Sequence, residues 1–130
     1  MKPVLYIVDD IPDNRTMLKM MFQMKGYEIV EAQDGVDALE KLAVQKADCM
    51  ILDVMMPNMD GITLCKKLRE KSDTANLPII MLSGKTQPED IQAGLDAGAN
   101  YYMKKPQNTV KLFTLVQEYS QKGQKILQPA

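Results

Sequence analysis

Short apolar runs alternate with helix-length amphipathic segments five times along this chain, with only brief connections between them. No other feature constrains the fold as tightly. Strand–helix alternation predicts a parallel sheet with helices packed on both faces. The predicted strands are "VLYIVDD" (Val4 to Asp10), "YEIVEA" (Tyr27 to Ala32), "DCMILDV" (Asp48 to Val54), "LPIIMLSG" (Leu77 to Gly84) and "NYYMKK" (Asn100 to Lys105). The third and fourth are continuously apolar, as strands buried on both faces must be. The second alternates, which suits an edge.

The helical segments carry their own punctuation. Pro12 fits the first turn of a helix, where its missing N–H costs little. Met17, Leu18, Met21 and Phe22 form its apolar stripe, and Gly26 ends it. Asp34 and Asp60 are predicted N-caps. Behind them, Val36, Leu39, Leu42 and Ala43 face inward on the second helix, and Ile62, Leu64, Cys65 and Leu68 on the third. Thr86 and Pro88 open a fourth helix with Ile91, Leu95 and Ala99. Val110, Leu112, Phe113, Leu115 and Val116 lie on a fifth. Five strands fit a doubly wound α/β sheet of order 2-1-3-4-5, with strands one and three meeting at the switch point where such sheets bind ligands.

The 130 residues suit one domain. Residues 1–122 are expected to form it, with 123–130 as a tail or the start of a linker. Sixteen basic and 17 acidic residues leave a formal charge of −1, which offers no footprint for nucleic acid. No apolar run reaches the roughly 20 residues of a membrane span. The N-terminal run ends in acids rather than in the small residues of a signal peptide. Cys49 and Cys65 lack metal-ligand spacing and read as buried thiols of a reducing compartment, so a cytoplasmic setting is expected. The 130 residues contain no histidine, which rules out a Ser-His-Asp triad, a His-ligated metal or a phosphohistidine within them.

The predicted carboxyl rim of the sheet gathers the chemistry. Strand one ends in Asp9 and Asp10, strand three in Asp53, strand four in Ser83, and strand five in Lys104 and Lys105 before Pro106. Three carboxylates at one place repel each other and call for a hard cation such as Mg²⁺, which takes carboxylates, waters and phosphate oxygens. A lysine and a hydroxyl nearby suit phosphate. With no other nucleophile in sight, a carboxylate must serve, and Asp can form an aspartyl-phosphate. Asp53, alone on a central strand, is the best placed. Neighbours on a strand point to opposite faces, so one of the Asp9–Asp10 pair, Asp10 by preference, is expected to touch the metal directly and the other through water. Taken singly, Asp53 could instead cap the following helix, Asp9 and Asp10 could be helix caps, and Ser83 an ordinary turn residue.

"VDD" (Val8 to Asp10), "LDVMMPNMDG" (Leu52 to Gly61), "MLSG" (Met81 to Gly84), "AGLDAGANYY" (Ala93 to Tyr102) and "KKP" (Lys104 to Pro106) occur in this order at domain-like spacing. Together they resemble the receiver domain of bacterial two-component response regulators, the CheY-like family, over residues 3 to 122. The resemblance implies a flavodoxin/CheY-like fold and a phosphorylation-controlled switch rather than an enzyme. Asp53 matches the phosphoacceptor. Asp9, Asp10 and the backbone carbonyl of Met55 match the ligands of Mg²⁺. Lys105 matches the phosphate-pairing lysine, with a cis peptide to Pro106, while Lys104 is read as solvated. Ser83 matches the switch hydroxyl and Tyr102 the switch aromatic, although Tyr102 also suits the edge of a core.

The implied partners are a sensor histidine kinase or histidine phosphotransfer protein, a downstream effector, and a second copy after phosphorylation. Direct binding of nucleic acid or membrane is not expected. Ile11, Asn14 and Met20 are candidates for docking the donor. Met55 and Lys85 occupy the two positions that govern phosphate lifetime in the family, and neither orients water well, which predicts slow self-dephosphorylation.

Three other classes fit less well. A Mg²⁺-dependent phosphatase with an aspartyl intermediate wants a second acid two residues after the nucleophile, where Met55 stands. A flavin-binding protein wants a Ser/Thr/Gly-rich phosphate loop after strand one, where "DDIPDN" is acidic. A degenerate, phosphorylation-independent module would not need Asp9, Asp10, Asp53, Ser83 and Lys105 together.

Overall fold

The computed structural model describes residues 2–121. The predicted 123–130 tail lies outside the described residues. Five strands and five helices alternate: β1 (Val4–Val8), α1 (Pro12–Met24), β2 (Glu28–Ala32), α2 (Gly35–Leu42), β3 (Cys49–Asp53), α3 (Gly61–Glu70), β4 (Ile79–Ser83), α4 (Pro88–Asp96), β5 (Tyr101–Lys104) and α5 (Thr109–Ser120). The sheet order is β2-β1-β3-β4-β5, as the sequence predicts. Every neighbouring pair is parallel.

Alternation along each strand divides the interior into two cores. Tyr6, Val8, Met50, Leu52 and Met81 face α3, with Leu64, Cys65 and Leu68 against them. Leu5, Ile7, Ile51, Ile80 and Leu82 face α1 and α5, packed by Leu18, Phe22, Leu112 and Val116. Because β3 and β4 serve both cores, all their residues are buried. The edge strand β2 is only partly covered. Cys49 and Cys65 are buried and form no disulfide.

Helix starts follow the predicted caps. Asp34 accepts the amide N–H of Asp37 at 2.9 Å, and Asp60 that of Thr63 at 2.8 Å. The fourth helix differs: Gln87, not Thr86, is its N-cap, with Pro88 in the first turn.

Helix phase corrects several inward assignments. On α2, Gly35 and Ala38 are buried, whereas Val36 is 44% exposed. Ala43 is also exposed. With the helix starting at Gly35, the inner positions are 35, 38, 39 and 42, which leaves Val36 one step off the face. Met17, Leu95 and Val110 are likewise exposed. On α4 the inner position belongs to Gly94, because the Tyr102 ring and the Met81 sulfur fill that space; a Cβ on Gly94 would lie 2.6 Å from Tyr102 Cδ2.

Candidate functional site

Backbone geometry brings the acids together. β1 ends at Val8, two residues before the predicted end, so Asp9 and Asp10 lie beyond the ladder. The Asp9 amide still donates to the Ala32 carbonyl at 3.1 Å. The opposite-face argument therefore fails for this pair. Carboxylate oxygens of Asp9, Asp10 and Asp53 all lie within 4.8 Å of one another.

Asp53 closes β3 and is 5% exposed. Its Oδ1 accepts the Met55 amide N–H at 3.3 Å and lies 3.5 Å from Lys105 Nζ. Its first helix neighbour is Gly61, where a Cβ would sit 2.5 Å from the Asp53 carbonyl oxygen. Only glycine lets α3 begin this close to the acid. The Gly61 amide meanwhile donates to the Val54 carbonyl at 2.9 Å.

Asp9 is well satisfied. Its Oδ1 accepts the Ile11 amide at 2.9 Å. Its Oδ2 lies 3.5 Å from both Asn14 Nδ2 and Lys105 Nζ. Asp10 is not: its Oδ1 is buried with no hydrogen-bond partner among the described residues. An orphaned buried carboxylate oxygen beside two further acids is a costly arrangement without a cation. The all-oxygen set fits a hard divalent ion.

The electrostatics agree. Burial foremost, and then the neighbouring Asp9, push the Asp53 pKa up from 3.8, against the opposing pull of Lys105 and the Met55 amide. One lysine does not balance three acids.

Ser83 ends β4 and is fully buried. Its Oγ accepts the Lys85 amide at 3.0 Å. The Lys105 amide donates to the Ser83 carbonyl at 2.9 Å, which seats the lysine beside β4. The Lys105–Pro106 peptide is cis, as expected, and Lys104 is exposed. Tyr102 donates its hydroxyl to the Lys85 carbonyl at 2.7 Å, while its ring packs at the edge of the α3-side core. One loop residue, Lys85, thus holds both predicted switch side chains. A cavity of about 370 Å³ separates this loop from the β3–α3 loop, with Met55, Met56, Lys85 and Tyr102 in its wall.

The predicted docking residues are less concentrated. Asn14 reaches Asp9 and lines a cleft of about 500 Å³ with Met17, Lys105 and Pro106. Ile11 and Met20 are 47% and 59% exposed on α1 and its N-terminus, outside that lining.

Two contributors escape sequence reasoning. Arg15 donates from one terminal nitrogen to the Asp9 backbone carbonyl at 2.5 Å and pairs with Glu31 at 3.4 Å, bracing the acidic loop from behind. Asn58 donates to Asp34 at 2.8 Å, across 24 residues of sequence. The "PNMDG" turn was the one available hint, since asparagine is a habitual left-handed turn residue.

The chain is similar to known proteins over most of its length. Residues 5–117 match the family model described as response regulator receiver domain. The sensor protein EvgS of Escherichia coli (strain K12) is 44% identical over 102 residues, 78% of this chain and 8% of that protein. The response regulator MprA of Mycobacterium sp. (strain KMS) is 41% identical over 102 residues, 78% of this chain and 44% of that one. The chain thus spans less than half the length of either relative. Among solved structures, the receiver domain of sensor histidine kinase PA1611 from Pseudomonas aeruginosa PAO1, with a magnesium ion coordinated in its active-site cleft, superposes with a TM-score of 0.84 at 27% identity, covering 92% of this chain and 98% of that one. The chain belongs to this family: it is a response regulator receiver domain of two-component signalling.

Proposed function

We propose that the chain is a phosphorylation-controlled switch that takes a phosphoryl group onto Asp53 from a phosphohistidine of a sensor histidine kinase or histidine phosphotransfer protein. The observation that carries this reading is the Lys105 ammonium, 3.5 Å from Asp53 and 3.5 Å from Asp9, beside the orphaned Asp10 oxygen. Asp10, Asp53, Asp9 and the Met55 carbonyl would hold Mg²⁺, as the magnesium in the related receiver domain supports. Asp10, whose Oδ1 has no partner among the described residues, would hold the ion directly, and Asp9, already hydrogen-bonded, would do so through water. When bound, the ion neutralises charge on the phosphoryl oxygens.

The chain's own groups do the rest. An Asp53 carboxylate oxygen attacks phosphorus. The P–N bond breaks, and its electron pair returns to the donor imidazole, which takes up a proton. Lys105 stabilises the charge on the transferring group from a fixed position, which is where most of the catalysis of phosphoryl transfer lies.

The product adds about −1.5 to −2 charge at Asp53. The Ser83 Oγ accepts the Lys85 amide and keeps its O–H free to donate, so a turn of the hydroxyl toward the phosphoryl group draws on the Lys85 amide. Since the Lys85 carbonyl holds Tyr102, that turn is passed to the tyrosine and biases a two-state loop. The face near β4 and β5 then changes for a downstream effector or a second copy of the domain. Asn14, with Ile11 and Met20 nearby, borders the cleft open to the donor. Met55 and Lys85 offer no side chain that orients water well, so the phosphoryl group is long-lived. A cytoplasmic setting fits these partners; among the described residues no helix is long and apolar enough to cross a membrane.

The reading is tested by adding an acyl-phosphate donor and Mg²⁺ and measuring intact mass. Wild-type protein gains one phosphoryl group and Asp53→Asn gains none; equal uptake by both would sink the assignment.

A further inference from the structure

The loop between β3 and α3 carries Met55 and has to be held still for Met55 to serve the site. At its apex, Asn58 adopts φ 67°, the one positive φ among the described non-glycine residues. Left-handed backbone costs a non-glycine residue energy, less for asparagine than for most, and persists where surroundings enforce it. Two contacts enforce it here, and both come from the N-terminus of α2. Asn58 Nδ2 donates to Asp34 Oδ2 at 2.8 Å. The adjoining Met59 side chain lies on Gly35, where a Cβ would be 2.8 Å from the Met59 sulfur.

Asp34 divides its carboxylate between two tasks. Oδ1 caps α2 through the Asp37 amide at 2.9 Å, and Oδ2 holds the loop. It is buried at 7% exposure, with no cation paired to it among the described residues. A cap alone needs one oxygen and no burial of the second. The far ends of the loop are fixed separately, by Gly61 against Asp53 and by Asp60 capping α3.

We infer that Asp34 and Asn58 are positioning residues for the phosphorylation site: the α2 N-terminus clamps the β3–α3 loop and thereby sets the Met55 carbonyl for the metal. The inference rests on Met55 being a metal ligand. It adds a second layer of support, of the kind whose loss weakens metal affinity without touching a ligand.

The test separates the clamp from the cap. Asp34→Asn keeps one side-chain oxygen, enough to cap, since asparagine caps as well as aspartate. It removes the charged acceptor of Asn58, so that only a weaker neutral amide–amide bond, made by turning the Asn58 amide over, can take the clamp's place. The double change Asp34→Asn with Asn58→Asp restores an amide-to-carboxylate bond in the opposite sense, and aspartate also tolerates left-handed backbone. Asn58→Gly, which keeps the backbone conformation and loses the bond, serves as a second variant if Asp34→Asn folds poorly.

In Asp34→Asn, the amides of Met55, Met56, Asn58 and Met59 in the metal-free protein should exchange hydrogen faster. Mg²⁺ affinity by calorimetry should fall about tenfold, the lower end of outer-layer effects, with a near wild-type melting temperature. The double change should restore both. Unchanged Mg²⁺ affinity in both Asp34→Asn and Asn58→Gly overturns the clamp, as does failure of the double change to rescue a folded protein. Loss of binding in Asp10→Asn alongside unchanged affinity in both Asp34→Asn and Asn58→Gly leaves the metal site standing and removes only the clamp. A wild-type protein that does not bind Mg²⁺ removes both.

Discussion

Lys105 and Asp53 face each other at 3.5 Å, and the same ammonium lies 3.5 Å from Asp9. One cation on β5's exit thus bridges the ends of β1 and β3, the strands that meet at the switch point. The site is held by attraction to Lys105 and strained by repulsion among three acids.

That strain has a sign in pH. The folded-state pKa of Asp53 is raised above 3.8, by burial first and Asp9 second. A folded carboxylate with a raised pKa binds more protons than its unfolded counterpart, so its contribution to stability falls as pH rises from 3.8 through the raised value. Asp53→Asn removes this penalty. In metal-free buffer it should melt at a higher temperature than wild type at neutral pH, with the gap closing toward pH 4 and below; a constant gap across that range would count against the electrostatic origin.

Mg²⁺ should reverse the penalty in the wild type. An ion that binds only the folded state adds about 2.7 kcal/mol at a concentration of a hundred times Kd. Thermal melts with and without Mg²⁺ should show the rise in wild type and lose it in Asp10→Asn. Chelation should also stop phosphoryl uptake.

Gly61→Ala is expected to be costly out of proportion to one methyl group. Its Cβ would meet the Asp53 carbonyl at 2.5 Å and Val54 Cα at 2.9 Å, and backbone cannot yield as a flexible side chain does. Overpacking of this kind costs about 1–3 kcal/mol. Denaturant melts should show that loss, together with slower phosphorylation because Asp53 is the atom group displaced.

Met55→Asn should shorten the life of the phosphorylated state severalfold. It places an amide able to orient water where a thioether stands, 53% exposed beside Asp53. Following loss of the phosphoryl group by mass after donor removal checks it; an unchanged decay would mean that water access is set elsewhere.

The sheet was legible in the sequence wherever one physical demand acted alone. β3 and β4 are buried on both faces and read as continuous apolar runs. The caps Asp34 and Asp60 were legible for the same reason, since each acts within one turn. Inward faces were less so. Val36 and Val110 look like core residues, and only the exact start of each helix turns them outward. Asp9 and Asp10 were placed on opposite faces because the strand was read two residues too long. The Asn58–Asp34 bond left no more than the turn hint in "PNMDG", because it joins the N-terminus of α2 to a loop that only the folded sheet brings beside it.

Whether Asp53 is the phosphoacceptor is decided by peptide mapping after treatment with an acyl-phosphate donor and Mg²⁺. A single phosphoryl group is expected on the peptide carrying Asp53, absent from Asp53→Asn and strongly reduced in Lys105→Ala. A phosphoryl group on any other residue, or equal uptake by Asp53→Asn, would contradict it.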